Sequence, residues 1–307
     1  MAPRKSAKPA YTFPDPIDND MLVGHRDVLN NFTTAWDNRD KHPVHPVWML
    51  CGPRGIGKAT LAYKIAKMVY GNVGDFFIID LAHNLGPDGN PYPNGKSISV
   101  KTITKVIERM QMSSMSGGWR VIIIDAVDEL SVSASNALLK MLEEPPANTL
   151  FLLVVHKLAN VLPTIRSRAR VEKMRPLTIS ELRELCAHFM ADTDISTDTL
   201  RLANGSFGKI ASLKASGGDT IYNNIIETLD DPHATTSDLM NIAKQIAPNP
   251  AIYGILLDTV AHFGLADIYP DATHCIADIE RIHLEPEIGI FKILNDIKQC
   301  LRTHTAI

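Results

Sequence analysis

A short apolar run leads straight into a glycine-rich loop and then into an amphipathic helix, and no other stretch constrains the fold as strongly. The run VWMLC occupies residues 47–51, and the loop GPRGIGKAT occupies residues 52–60. The overlapping pattern ATLAYKIAKMVY places apolar side chains on one helical face. In this setting, backbone N–H groups and a helix N-terminus point at an anion. The stretch therefore predicts an α/β domain that carries a phosphate-binding loop.

The side chains of the loop match phosphate binding better than metal binding. The predicted contacts come from the glycines, the lysine and one hydroxyl: Gly52, Gly55, Gly57, Lys58 and Thr60. The full pattern requires Ser or Thr directly after the lysine as a magnesium ligand, and Ala59 stands there. Thr60 does not simply replace that ligand, because one helical residue turns a side chain by about 100°. For the loop alone, a glycine-rich turn that binds nothing remains an alternative.

A second half of a nucleotide site follows in VIIIDAVDEL, residues 121–130. Its β-branched residues predict a strand that ends at Asp125, the usual form of a strand at a metal site. The next residue is Ala126, where a hydrolase carries a general base worth about 10² to 10⁴ in rate. Asp128 and Glu129 come after the strand end and are interpreted as helix-capping or solvated carboxylates. The two halves together predict phosphate binding without hydrolysis.

Composition and charge exclude several other classes of protein. The formal charge is −3, so contact with nucleic acid requires a local basic patch. The four cysteines are scattered and form no CxxC pair, which fits reduced thiols in a cytosol. The basic N-terminus lacks the apolar core of a signal peptide, and no apolar run approaches the roughly 20 residues of a membrane span. The sequence therefore predicts a cytoplasmic protein with no membrane contact.

The pattern of strands and helices changes along the chain. Strands alternate with helical patterns from about residue 22 to residue 175, which predicts a parallel sheet with helices on both faces. From Ser180, which can cap a helix, to Ile307 the periodicity is helical. The predicted domains are a flexible tail, the α/β domain, a small helical domain and a C-terminal helical domain, at residues 1–20, 21–175, 176–217 and 218–307.

Six motifs occur in the order found in one known family. They are LVGH, GPRGIGKATLAYKIA, GGWRVIIIDAVDEL, NALLKMLEEPP, LPTIRSRAR and ANGSFGKI, and they cover residues 22 to about 213. Together they closely resemble the delta prime subunits of the bacterial DNA polymerase III clamp loader, which are AAA+ proteins. The resemblance implies an AAA+ P-loop domain, a small helical lid and an all-α collar domain. The C-terminal region matches the family only in type and position.

The resemblance also implies a function and partners. Delta prime subunits assemble with delta and with the tau/gamma motor subunits, and the complex places the sliding clamp on primed DNA. They do not hydrolyse ATP themselves but present an arginine to a neighbouring motor's nucleotide, a role that falls on Arg168 here. Such an arginine is worth about 10³ to 10⁵ in phosphoryl transfer. The chain's own loop and Asp125 would then hold ATP or ADP with Mg²⁺ weakly or without hydrolysis.

Further departures from the motor pattern agree with a loss of hydrolysis. By alignment, the polar sensor after the third core strand falls at Val155 or His156, and valine cannot make that hydrogen bond. Gly208 stands where a motor subunit has its lid arginine. Ala169 replaces a cysteine of many relatives, but this change is minor because the neighbouring arginine supplies the charge. The cysteines with which some relatives bind zinc are absent, and the loop of residues 83–97 takes their place, which predicts no zinc.

Two other functions stay open at this point. One is an active AAA+ motor subunit of the same loader, with Asp128 or Glu129 recruited as the base. The other is a phosphate-loop kinase that acts on a small molecule, in which the LLKMLEEPP and TIRSR motifs would have no role. For Arg168 itself, the alternative is a solvated basic face or a strip that packs against neighbouring acidic groups, and Arg166 and Arg170 are assigned to this alternative.

Overall fold

The computed structural model describes residues 15–70, 75–86, 88–93, 95–111, 118–191, 195–281 and 285–304. Most of the predicted tail, residues 1–14, therefore lies outside the described residues. The described chain divides into two compact units, one reaching to Leu185 and the other beginning at Cys186. Each unit is described by itself below.

The first unit is built on five parallel strands in the order β2-β3-β4-β1-β5. In chain order the strands are β1 Val47–Cys51, β2 Asp75–Asp80, β3 Arg120–Asp125, β4 Thr149–Val155 and β5 Arg170–Lys173. Strand β4 pairs with β1 on one side and with β3 on the other. The carboxyl ends of these three strands therefore meet at one edge, where ligands bind in open α/β sheets. The predicted parallel sheet is confirmed.

Helices connect these strands and form most of the remaining described chain. Those of the first unit are α1 Arg26–Asp37, α2 Lys58–Tyr70, α3 Val100–Gln111, α4 Val132–Glu143 and the one-turn α5 Pro163–Arg166. Next in the chain come α6 Ile179–Phe189, α7 Thr197–Leu202, α8 Phe207–Ser216, α9 Gly218–Asp230, α10 Thr236–Ile246, α11 Gly254–His262, α12 Tyr269–Arg281 and α13 Pro286–His304. Among the described residues, no helix has the length and apolar character needed to cross a membrane.

Side chains that alternate along each strand fill two cores, one on each face of the sheet. Trp48 and Leu50 of β1 pack in the cluster that contains the apolar faces of α1 and α2. Val47, Met49 and Cys51 pack on the opposite side, with apolar residues of α3 and α4. All five residues are at most 6% exposed. A strand buried on both faces is apolar throughout, which is why VWMLC shows no alternation of polar and apolar residues.

The segment between β2 and α3 is not wholly exposed, although its composition predicts an exposed loop or hairpin tip. Asn84 is 1% exposed. Its amide group donates to the Ser97 carbonyl oxygen, and its own oxygen accepts from the Ser99 N–H and the Thr102 hydroxyl, each at 2.9 Å. Composition could not reveal this anchor, because asparagine is favoured in turns whether its side chain faces solvent or the backbone.

The second unit has a helical core of its own. The apolar cluster includes Leu202 and Leu213 from the predicted lid, and it continues to Ile297 of α13. Helices α8 and α9 are separated by Gly217 alone, which has a φ of 69°. Because the predicted lid and the predicted collar share this cluster, their division into two domains at residues 217 and 218 stays a prediction.

A buried lysine joins two helices of the second unit. Lys298 of α13 is 5% exposed. Its ammonium donates to the carbonyl oxygens of Leu229 at 2.8 Å and Thr228 at 3.3 Å, and also to that of Asp231. These carbonyls belong to the C-terminal end of α9, which lacks intrahelical partners and attracts positive charge. Lys298 therefore caps α9 from a helix that lies about seventy residues later in the sequence.

Candidate nucleotide site

The phosphate-binding loop turns between β1 and α2, in the predicted place. Gly55 and Gly57 have φ angles of 79° and 98°, in the region that favours glycine. A Cβ atom at Gly52 would lie 2.5 Å from the Met174 carbonyl oxygen and 2.8 Å from Ile56 Cδ1. The loop therefore depends on glycine for its backbone conformation at one end and for close packing at the other.

Lys58 is buried inside its own loop. It is 3% exposed, and its ammonium donates to the Gly52 carbonyl oxygen at 2.7 Å and to that of Pro53. An ammonium has three N–H donors, so most of its capacity is committed to the loop itself. Burial lowers the pKa of Lys58 to about 8, against the opposing charge of Asp125. A phosphate group would have to compete with these carbonyls for the lysine, whereas Thr60 lies partly buried in the first turn of α2.

Asp125 ends β3 close to Lys58, so the structure brings the two predicted halves of the site together. The charge of Lys58 lowers the pKa of Asp125, but burial has the larger effect and raises it to about 6. Ala126 follows with 1% exposure, and its methyl group cannot accept a proton. The site thus brings the charged side chains of Lys58 and Asp125 together and has no carboxylate directly after Asp125.

The raised pKa of Asp125 makes folding stability depend on pH in a defined direction. The folded carboxyl keeps its proton up to about pH 6, whereas the unfolded chain releases it near the ordinary value of 3.8. Stability therefore falls as pH rises through this window. Asp125→Asn cannot ionise at this position. We expect its free energy of unfolding, relative to that of the wild type, to increase by about 2 kcal/mol as the pH is raised from about 4 to about 7.5. Denaturant unfolding measures this, and an equal difference at both pH values would contradict the raised pKa.

The two carboxylates that follow the strand both have partners. Asp128 accepts the backbone N–H groups of His156 at 2.8 Å and Lys157 at 2.9 Å. Glu129 forms an ion pair with Arg54 of the phosphate-binding loop. To act as a general base, either carboxylate would first have to leave these contacts. The ion pair between Arg54 and Glu129 joins residues far apart in the sequence, and no motif in the sequence pointed to it.

The predicted sensor position lies at the end of β4. Val155 is fully buried within the sheet. Its neighbour His156 has a buried Nδ1 atom without a hydrogen-bond partner among the described residues. Burial, together with the charges of Lys58 and Arg54, lowers the pKa of His156 to about 4. His156 is therefore a neutral polar group beside the cations of the loop, and it is the residue of this pair whose side chain can form hydrogen bonds.

The lid position of the motor pattern belongs to the second unit. Gly208 lies in the first turn of α8 and has no side chain to offer. The adjacent ammonium of Lys209 forms an ion pair with Asp258 of α11 at 2.7 Å. Lys209 therefore contributes to the packing of α8 against α11.

His25, which the sequence analysis did not select, is tied to the loop. It is 3% exposed, and its Nε2–H group donates to the Ile56 carbonyl oxygen at 2.9 Å. Burial lowers the pKa of His25. A cleft of about 370 Å³ beside it is lined by the LVGH motif, Arg175 and Glu181, and the latter two form an ion pair through two contacts of 2.7 Å. The available signal was the LVGH motif itself, in which His25 is the last residue.

Arg168 lies between α5 and β5. Its Nη2 atom is 2.6 Å from Glu143 Oε1 at the end of α4, and its Nη1 atom donates to the Thr164 carbonyl oxygen at 2.7 Å. The side chain is 33% exposed. These contacts join it to α4 and α5, and not to the loop of residues 52–60. Of its neighbours, Arg166 is exposed and Arg170 lies over an indole ring of β1.

The side chains at the loop fit a phosphate anion better than a magnesium ion. Magnesium requires oxygen ligands in near-octahedral geometry; Asp125 offers a carboxylate, but Ala59 has no oxygen in its side chain. Within the described residues, no group of three or more His, Cys, Asp or Glu side chains could hold a metal ion. The absence of zinc stays a prediction. Two residues of the loop at residues 83–97, Pro87 and Asn94, lie outside the described residues.

Known proteins are similar to this chain in sequence and in fold. DNA polymerase III subunit delta' of Pseudomonas aeruginosa is 33% identical over 141 residues, which are 42% of this chain and 43% of that protein. DNA polymerase III subunit gamma of Buchnera aphidicola is 27% identical over 209 residues, 59% of this chain and 54% of that protein. The chain thus spans about half the length of these relatives.

A crystal structure of a DNA polymerase III gamma subunit-related protein from Thermotoga maritima superposes with a TM-score of 0.52. It is 15% identical and covers 87% of this chain and 98% of its own, so it supports the fold alone. Residues 24–178 match the family described as DNA polymerase III, delta subunit, and this match covers half of the chain. The chain therefore belongs to that family.

Proposed function

We propose that this chain is a non-hydrolysing subunit of a cytoplasmic clamp loader. In this proposal it assembles with delta and tau/gamma motor subunits, and the complex opens the sliding clamp and places it on primed DNA. Family membership and the match with gamma and delta' relatives support these partners. The C-terminal helical region joins the subunits, as the collar does in the family that the motifs resemble.

One observation is the main support for the proposed loss of ATP hydrolysis. The residue after Asp125 is the buried Ala126, and the two nearby carboxylates, those of Asp128 and Glu129, already bind other groups. A positioned general base is worth about 10² to 10⁴ in rate. With Ala59 in place of a hydroxyl ligand for magnesium, the site lacks both the proton acceptor and part of the metal-binding set.

The loop is proposed to hold a phosphate group of ATP or ADP without turning it over. The glycine conformations and the helix N-terminus support binding of an anion. The hydrogen bonds of Lys58 to Gly52 and Pro53 support weak binding, because a nucleotide must displace them. The chain's contribution to catalysis is then Arg168, offered to the ATP site of the neighbouring subunit.

The experiment that tests this function separates the chain's own loop from its effect on the loader. We expect the purified chain to hydrolyse ATP no faster than a buffer control. We expect a reconstituted loader with Lys58→Ala in this chain to keep its clamp-loading rate within about twofold, because a positioned lysine matters to catalysis only where chemistry occurs. Lys64→Ala is the matched control, because Lys64 lies on the same helix, is only partly buried and donates to the Asp20 carbonyl oxygen instead of the loop.

The outcomes distinguish the rival functions. Hydrolysis by the isolated chain at the rate of a motor subunit, abolished by Lys58→Ala, would establish an active ATPase and overturn the proposal. A chain that forms no stable complex with clamp-loader subunits and phosphorylates a small molecule would establish the kinase alternative. The proposal is supported if the isolated chain does not hydrolyse ATP, forms a stable complex with clamp-loader subunits, and gives a clamp-loading rate that Lys58→Ala does not change.

A further inference from the structure

The guanidinium of Arg168 is held by two groups of its own chain. Glu143 Oε1 lies 2.6 Å from Nη2, and the Thr164 carbonyl oxygen accepts from Nη1 at 2.7 Å. A weaker contact joins Nη1 to the Ser167 hydroxyl at 3.4 Å. Both terminal nitrogens are therefore engaged on the chain, and the orientation of the planar group is defined.

Both residues of this ion pair lie next to buried apolar residues that hold the backbone in place. Glu143 is the last residue of α4, and Leu142 before it is 3% exposed. Ile165, in the helical turn that precedes Arg168, is fully buried. Leu142 and Ile165 belong to the same apolar cluster on one face of the sheet. Packing of that cluster therefore fixes the end of α4 relative to the turn that carries Arg168.

The chemistry of the pair favours presentation of the arginine over its sequestration. A guanidinium has five N–H donors in a rigid fork, and Glu143 and Thr164 need only some of them. The side chains of Arg168 and Glu143 are 33% and 47% exposed, so water screens their attraction. A polyphosphate, with several negative charges, can bind the remaining donors without displacing the carboxylate.

We propose that Glu143 is a positioning residue, which holds Arg168 in the orientation in which it meets the polyphosphate of a neighbouring subunit. This inference rests on the proposed function, in which Arg168 acts in trans. Glu143 does not touch the nucleotide; it acts through the guanidinium. Its removal leaves the arginine present but held only through Nη1, and small errors of position are costly in catalysis.

The test uses phosphate release by the reconstituted loader with clamp and primed DNA, resolved in time. The phase lost in Arg168→Ala defines hydrolysis at the site that Arg168 completes. We expect Glu143→Ala to slow this phase about tenfold, with the ATP concentration at half-saturation changed by less than about twofold. Glu143→Gln keeps an oxygen acceptor and should recover most of the rate.

Two further variants separate positioning from a structural role. Glu144→Ala removes the same charge one residue later and should leave the phase unchanged. In a loader that already carries Arg168→Ala, adding Glu143→Ala should cause no further loss, because the two residues act as one unit. Thermal unfolding and assembly of each variant are measured in parallel, so that a misfolded chain is recognised.

Each contrary result has its own meaning. A faster phase in Glu143→Ala would show that the carboxylate sequesters the arginine, and would overturn positioning. An unchanged phase in Glu143→Ala, an equal loss in Glu144→Ala or an additional loss in the Arg168→Ala background would overturn it as well. If Arg168→Ala removes no phase, arginine donation itself fails, and this result is distinguishable from failure of Glu143 alone.

Discussion

Replacing Arg168 with alanine is expected to slow ATP hydrolysis at the neighbouring subunit's site by about 10³-fold or more. The reason is electrostatic: in the proposed role, the guanidinium meets charge that develops on the transferring phosphoryl group, and alanine leaves that charge unpaired. The fold should survive, because the half-exposed ion pair with Glu143 contributes no more than about 1 kcal/mol to stability. Transient phosphate release from a reconstituted loader measures the effect and gives the number of sites that hydrolyse ATP.

A control for this substitution lies two residues away. Arg166 is the last residue of α5 and is exposed. Arg166→Ala therefore changes the net charge equally but keeps the guanidinium of Arg168. We expect its loader to release phosphate at the wild-type rate within about twofold. An equal loss in both variants would point to the general field of a basic surface, and normal hydrolysis in Arg168→Ala would exclude arginine donation.

The second large effect concerns stability and lies in the second unit. Lys298→Met should lower its free energy of unfolding by about 3 kcal/mol, because the ammonium's hydrogen bonds to the carbonyls at the end of α9 are lost together. Burial lowers the pKa of Lys298, and the carbonyl contacts offset part of that desolvation. Methionine preserves most of the side-chain volume, so the loss reports the missing donors and not a cavity.

The same substitution on the outer face of α13 provides the control. Lys292 is exposed, and Lys292→Met should change the free energy of unfolding by less than about 0.5 kcal/mol. Unfolding in urea, followed by circular dichroism at 222 nm, compares the two variants with the wild type. Similar stability for Lys298→Met and the wild type would mean that water or another group satisfies the end of α9.

The central strands and their helices could be predicted because local pattern and burial agree there. VWMLC becomes β1 as expected, and TLFLLVV becomes β4, since strands buried on both faces carry only apolar residues. Helix α4 ends at Glu143, before the two prolines that mark its limit in the sequence. Strand β5 was not individually predicted. Its sequence RVEK is polar and lies at the edge of the sheet, where pairing with β1 and not residue pattern determines the conformation.

The candidate site was predictable in its motifs and not in its contacts. Lys58 and Asp125 are marked by the two halves of a nucleotide site, and the structure places them together. The hydrogen bond from His25 and the ion pair of Arg54 with Glu129 join segments 31 and 75 residues apart. Such pairs depend on how the sheet brings loops to one edge, which no local pattern records. The same reasoning applies to the ion pair of Glu143 with Arg168, which forms because α4 and α5 share a core.

The carboxylate of Asp128 also has a mechanical consequence. By accepting two successive backbone N–H groups after β4, it links the segment that leaves β3 to the segment that leaves β4. A fully hydrogen-bonded connection of this kind is stiff, so a displacement of one segment carries the other with it. This edge of the sheet therefore moves as one rigid element.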